Sequence, residues 1–371
     1  MSEEARQEPD RLEGAPHPRE AVTVFGQDLA QATFLDAVGQ DRMHHAWLIA
    51  GPRGVGKATL AWRIARFLLA IPPKDSDGLF GAPPPPTTLD IDAEHPVARR
   101  LAAGSEPRLC LIRRPWDEKA KRLKTRITID EVRRLKMFFA MSAADGGRRV
   151  VILDAADEMN EAAANALLKI LEEPPRDAFI LMVAHQPSRL LPTIRSRCRT
   201  LRCVPLGPED MAQALFLDRI DPALTELAGG SAGLAHSMTR LEGVATYQSL
   251  LGLFVDLPLA FDRPGAMKLA ESAVGRTAEA RYEMLLDLMD RFLSRLALAG
   301  AGHAPRVEVR SGEAEMLAKM SSGPAAARVW SDLQLDLAER GRRARAVNLD
   351  PASVILDMTL KIRETAARTA A

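Results

Sequence analysis

A chain of 371 residues is too long for one ordinary hydrophobic core and points to two or three domains. Its formal net charge of +1 supplies no global basic field, so any nucleic-acid contact has to be local. The three cysteines, Cys110, Cys198 and Cys203, are too few and too scattered for a disulfide framework or a four-ligand zinc site, so no zinc or other metal is expected.

Residues 1–20 are polar, charged and Pro-containing, unlike a signal segment, and are expected to form a disordered tail. No apolar run is long enough to span a bilayer, and the scarcity of cysteine fits a reducing, cytoplasmic setting. Val22 to Gln27 leads into a helix carrying Leu29, Ala32, Phe34, Leu35 and Val38. His44-His45 could ligate a metal, but with no partner nearby the bland assignment, histidines satisfied at a helix end, is favoured.

Trp47 to Ala50 is short and apolar enough for a buried parallel strand. It runs into Gly51-Pro52-Arg53-Gly54-Val55-Gly56-Lys57-Ala58-Thr59, which reads as a phosphate-binding loop. The helix that follows carries Leu60, Ala61, Ile64, Ala65 and Leu68, and Pro72-Pro73 stops it. Glycines let the loop backbone curl its N–H groups toward one point at a helix N-terminus, where the macrodipole favours an anion. Lys57 is placed to reach the outer phosphates of a nucleotide. The motif wants Ser or Thr next, because that hydroxyl ligates Mg²⁺. This chain has Ala58, with Thr59 one residue late and about 100° round the helix.

Residues 72–107 read as loop, with Pro83 to Pro86 as a rigid run. Arg108 to Arg113 is a second strand, and Asp117 to Arg126 a charged link that either touches phosphates or is a solvated loop. Ile127 to Asp130 enters a helix with Asp130 as the expected N-cap, and Asp145-Gly146-Gly147 is a turn. Val150 to Asp154 is a buried strand ending in a carboxylate. In P-loop proteins such an Asp holds Mg²⁺, and a Glu beside it polarises the attacking water. Here Ala155 follows, and Glu158 lies too far along to substitute in place. A helix over Glu161–Glu173, a fourth strand at Phe179–Val183 and a fifth at Leu201–Val204 complete an α/β pattern with a doubly wound parallel sheet. Ligands in such sheets sit at the strand C-termini, where the loop at Gly51 and Asp154 would meet. Beyond Pro208 the chain reads as all helical, with short segments to Gly243 and longer ones around 246–261, 265–299 and 312–371.

At Asp154-Ala155-Ala156-Asp157-Glu158-Met159, at Asn165 to Pro175 (Asn-Ala-Leu-Leu-Lys-Ile-Leu-Glu-Glu-Pro-Pro) and at Ser196-Arg197-Cys198, the chain resembles bacterial DNA polymerase III clamp-loader subunits, most of all the delta-prime family. The likeness is dense from about Val22 to Cys203. It implies an AAA+ P-loop module over 21–205 with a five-stranded parallel sheet, a small helical lid over 206–245, and an all-α collar over 246–371 that joins subunits into a ring of five. It also implies partners: the motor-type ATPase subunits and delta, and through the complex the sliding clamp and primed DNA. In that family the Ser-Arg-Cys arginine enters the nucleotide site of the neighbouring subunit, which here is Arg197. A guanidinium supplied in trans stabilises a transferring phosphoryl group by a factor on the order of 10³–10⁵ in rate. Without the resemblance, Arg195, Arg197 and Arg199 read equally as a basic surface.

The departures from the motor-type pattern are as informative. Ala58 replaces the hydroxyl, Ala155 the second acid, and Ala184-His185 matches the polar sensor only weakly. Gly230-Ser231 is followed by Ala232-Gly233-Leu234 without the lid arginine, and no cysteine lies between Leu69 and Leu109 for a zinc knuckle. These losses lead to a non-hydrolysing, stationary subunit. Its loop would hold ATP or ADP without turnover through Gly51, Gly54, Val55, Gly56, Lys57, Ala58, Thr59 and Asp154, while it donates Arg197 to a neighbour. The rivals are an active P-loop ATPase, supported by Gly56-Lys57 and Asp154, and a DNA-binding regulator, disfavoured by the balanced charge.

Overall fold

The computed structural model describes residues 8–40, 42–71, 85–119, 122–140, 147–255, 261–275 and 278–369. Strands in chain order are β1 (Ala46–Ala50), β2 (Leu109–Arg113), β3 (Trp116–Asp117), β4 (Arg122–Leu123), β5 (Arg149–Asp154), β6 (Ala178–Ala184) and β7 (Arg199–Arg202). Five form one sheet in the order β2-β5-β6-β1-β7, with every pair parallel. This is the parallel sheet expected of an AAA+ P-loop module. β1 and β6 are buried along their whole length, which is why they read as continuous apolar runs and not as alternating ones.

Each strand sends alternate side chains to opposite faces. Trp47, Ile49, Ile152, Leu181 and Val183 join one core with α1 (Asp28–Gly39) and α2 (Lys57–Ala70). After α3 (Pro96–Ala102), the helices α4 (Ile129–Ala140) and α5 (Glu161–Glu172) cover the other face, over Leu48, Val151, Leu153, Ile180 and Met182. Phe34 of α1 is fully buried, with ring centroids 5.0 Å from Trp47 and 6.2 Å from Phe67. The register aligns the strand ends, pairing Arg113 with Asp154 and Ala50 with Ala184. The short α6 (Pro192–Arg195) leads into β7.

Residues 8–20 are not the disordered tail expected of them; residues 1–7 lie outside the described residues. His17 is fully buried, with its ring edge-on to Trp62 at 5.6 Å. Arg66 of α2 donates to the carbonyls of Arg19 (2.7 Å) and Ala21 (3.3 Å), so this segment covers a helix that has few polar positions of its own. There are four smaller differences. The N-terminal box of α4 is built by Thr128, not Asp130: the Glu131 carboxylate accepts from the Thr128 N–H at 2.8 Å and its hydroxyl at 2.5 Å. The charged link folds into the β3–β4 ribbon, and α3 sits inside the stretch read as loop. The fifth strand starts at Arg199 rather than Leu201, because β1 supplies backbone partners that outweigh its exposed, charged side chains. Pro83-Pro84 and Asp145-Gly146 fall outside the described residues.

The chain divides into two compact units, one of residues 1–218 with 230–233 and one of 219–229 with 234–371. The second is helical in its described part, with long helices at Ala278–Gly300, Pro324–Ala346 and Pro351–Thr369. Trp330 and Phe292 are fully buried there. The Glu313 carboxylate, with no exposed side-chain surface, accepts from the Tyr247 hydroxyl (3.0 Å) and the Val309 N–H (2.8 Å) and lies 3.2 Å from Arg295. A buried charge so fully partnered carries little penalty while the set is complete.

Asn160 caps α5, its side-chain oxygen accepting from the Ala163 N–H at 2.8 Å. Asn160→Ala should lower stability by about 1 kcal/mol, read as a lower urea midpoint at unchanged slope.

Candidate functional site

The phosphate loop is set by three glycines with different duties. Gly51 passes so close to the end of β7 that a Cβ there would run into the Cys203 carbonyl oxygen. Gly54 and Gly56 take φ of +73° and +94°, a region that side chains resist. The Gly54 carbonyl accepts from the Gly233 N–H at 3.0 Å, and a Cβ at Gly54 would collide with Ser231. Gln27, 2 % exposed, sews the loop down. Its amide donates to the carbonyls of Val55 (3.1 Å) and Val204 (2.8 Å) and accepts from the Val204 N–H (3.0 Å). Sequence reading gave Gln27 no role; an amide at the entry to α1 carries no motif, and its partners are far off in the chain.

Lys57 is almost fully buried, and its ammonium donates to the Pro52 carbonyl of its own loop. Burial pushes its pKa down to about 8, with Asp154 pulling the other way. Burial, joined by the charge of Asp10, pushes the Asp154 carboxyl up to about 7, against the opposing pull of Lys57. Burial thus favours the neutral form of this carboxyl. Ala155 beside it is buried and offers only a methyl group. Glu158 is fully engaged elsewhere, 2.8 Å from Arg53 Nη2 and 2.8 Å from Arg114 Nε. Asp157 accepts from the His185 and Gln186 N–H groups, both at 3.0 Å. Burial, with the cations of Lys57 and Arg53, pushes His185 down to about 3, so its imidazole is neutral.

The segment expected to be a tail reaches the same sheet edge. Arg113 lies 2.7 Å from Glu8 and 2.6 Å from Asp10, and His17 Nε2 lies 3.3 Å from Asp10. Burial alone would raise the Asp10 carboxyl, but His17 and Arg113 outweigh it and hold it below the usual range. Two acids and a histidine scattered through a polar stretch gave no sequence signal for this cluster.

Arg197 lies in a different place, on the turn between α6 and β7 at the carboxyl end of α5. Its Nη1 donates to the Thr193 carbonyl (3.0 Å), and its Nη2 lies 2.9 Å from Glu172 Oε1. The side chain is 36 % exposed, so the guanidinium is held at the surface and is not entombed in its own fold. The neighbouring Cys198 is half-buried, its thiol on the Ile194 carbonyl at 3.0 Å and pushed by burial up to about 12, which makes it packing and not a nucleophile. Arg195 and Arg199 are exposed, the latter 5.3 Å over the Trp47 ring. His44 and His45 stack at 4.5 Å, and their nitrogens serve backbone groups of Ala46 and Leu171.

Chemically, the site splits in two. The glycine conformations, the helix N-terminus and Lys57 suit a phosphate chain. At the positions where metal and water chemistry uses oxygen groups, Ala58 and Ala155 present methyl groups, and burial raises the Asp154 carboxyl to about 7. Among the described residues no group of three or more His, Cys, Asp or Glu side chains could hold a metal ion.

Residues 26–206 match the family model described as DNA polymerase III, delta subunit. The chain is 39% identical over 218 residues to the DNA polymerase III subunit delta' of Pseudomonas aeruginosa, covering 57% of this chain and 60% of that protein. It is 30% identical over 192 residues to the Bacillus subtilis subunit delta', with 52% of each chain covered. Against the subunit gamma/tau of Mycobacterium tuberculosis H37Rv the identity is 27% over 315 residues, covering 76% of this chain and 50% of that one. The chain thus spans about half the length of the curated relatives it matches.

The two buried ionisable groups predict opposite pH dependences. The unfolded chain ionises Asp154 near 3.8, whereas the fold keeps it protonated to about 7, so this group removes stability as pH rises through that window. Asp154→Asn should raise the urea midpoint at pH 8 and leave it unchanged near pH 3. Lys57 is depressed from 10.5 to about 8 and costs stability below that value, so Lys57→Met should stabilise at pH 7 with the gain fading toward pH 10.5. Urea titrations across pH 3 to 10.5 check both signs.

Proposed function

We propose, for a chain whose residues 26–206 belong to the DNA polymerase III delta-prime family of clamp-loader subunits, that it acts as the stationary, non-hydrolysing member of its loader. In this reading residues 206–245 serve as a lid and 246–371 as the collar that meets the other subunits. Partners are the motor-type ATPase subunits and delta, with the sliding clamp and primed DNA reached through the assembly. The setting is cytoplasmic; no described helix is long and apolar enough to cross a membrane.

The observation that carries the proposal is the separation of two features. The phosphate cradle retains Lys57 but has methyl groups at Ala58 and Ala155, where metal and water chemistry need oxygen ligands. Arg197 stands at the surface with none of its recorded partners in that cradle. An arginine at the surface, partnered by Thr193 and Glu172, suits a neighbour's site. ATP or ADP would be held by the backbone of Gly51 to Thr59 and by Lys57 once its ammonium leaves the Pro52 carbonyl; a nucleotide supplies phosphate charge to that cradle, without turnover. The intact Gly56-Lys57 and Asp154 favour one rival, a chain that hydrolyses ATP itself.

The isolated chain should show no ATP turnover, and any nucleotide affinity should disappear in Lys57→Ala. In a reconstituted loader, Arg197→Ala should slow single-turnover hydrolysis at the facing site by on the order of 10³-fold or more. Turnover by the isolated chain at loader rates, or an unaffected Arg197→Ala loader, overturns the proposal. A gain of hydrolysis in Ala58→Thr with Ala155→Glu would identify those methyls as the missing parts.

A further inference from the structure

The surroundings of Arg197 contain an ion pair that the finger reading leaves unused. Glu172 is the last residue of α5, and its carboxylate lies 2.9 Å from Arg197 Nη2 while the Thr193 carbonyl takes Nη1 at 3.0 Å. Both anchors are fixed from behind. Leu171, next to Glu172, is 2 % exposed, and Ile194, next to Thr193, is fully buried. The Arg197 N–H and the Cys198 thiol both donate to the Ile194 carbonyl, at 3.1 and 3.0 Å, which holds the tripeptide backbone against the core. The end of a helix also favours a cation, because the carbonyls of its last turn are unpaired.

A guanidinium has five N–H donors in a rigid plane. With one committed to Thr193 and one to Glu172, the plane is oriented and three donors are left for an outside acceptor. A free arginine side chain samples many rotamers and would have to lose that freedom at each catalytic encounter. We propose that Glu172 is a positioning residue for Arg197, fixing the guanidinium plane so that its uncommitted donors meet the neighbouring subunit's phosphates. The proposal rests on the finger reading above. Both partners are partly exposed, Arg197 36 % and Glu172 49 %, so solvent screens the pair and its effect is modest. Glu173, one residue on, is exposed and brings the same charge to the same helix end without being one of Arg197's recorded partners, so it serves as the control.

The test uses the full-length chain in reconstituted loader. Glu172→Ala should lower kcat of the facing ATP site about fivefold, with KM for ATP and the thermal midpoint unchanged. Glu172→Gln, which keeps an acceptor oxygen, should recover part of the loss, and Glu173→Ala should match the parent. In an Arg197→Ala background Glu172→Ala should have no further effect. Four results overturn the proposal: a rate at or above the parent in Glu172→Ala, an equal loss in Glu173→Ala, no recovery in Glu172→Gln, or the same fold-loss in the Arg197→Ala background. Should Arg197→Ala itself leave the rate untouched, the finger reading fails and this inference with it. Loss in Arg197→Ala without loss in Glu172→Ala sinks the positioning role alone.

Discussion

Everything at the candidate site depends on how β1 is gripped. It is bonded to β6 on one side and β7 on the other, and the chain leaves it at Gly51 within a backbone's width of Cys203. That close passage admits no side chain, so the loop can start in only one direction. Gln27 then ties Val55 to Val204, and Gly233 ties Gly54, giving the curl three fixed points. The cradle is therefore a product of sheet register and distant tethers acting on a glycine loop that can take the curl.

The same burial that preserves the cradle suppresses its ionisation. Lys57 and Asp154 sit in a low-dielectric pocket where each charged form is penalised, and their mutual attraction offsets only part of that penalty. A working ATPase recovers the cost when nucleotide and metal complete the electrostatics. Ala58 and Ala155 bring methyl groups to that completion, and the proposed non-hydrolysing role rests on them. The arginine on the α6–β7 turn escapes this logic because it stands in water, partnered by a carboxylate and a carbonyl.

Much of this was legible in the primary structure, and all but one of the exceptions share a cause. The phosphate loop, Asp154 at its strand end and the first four apolar strands are short-range patterns, and each fell within a residue or two of its expected place. Residues 8–20 were misread because their order comes from distant partners: Trp62 under His17, Arg113 between Glu8 and Asp10, and Arg66 against the backbone of Arg19. Gln27 was passed over for the same reason. Thr128 is a different case, since its box with Glu131 is local, three residues apart in the sequence, and the expectation named Asp130 alone. The fifth strand was placed late because β7 exposes Arg199, Thr200 and Arg202, and only pairing with β1 makes it a strand.

The packed beginning of the chain bears on how this protein should be handled at the bench. A shortened version starting at residue 21, as a domain-boundary guess from composition would suggest, strips the cover from the Trp62 indole and removes both counter-ions from Arg113. It also takes away the Arg19 carbonyl that satisfies Arg66 and the negative neighbour that helps keep Asp154 protonated. Trimming there would thus alter the acidity of the pocket around Asp154.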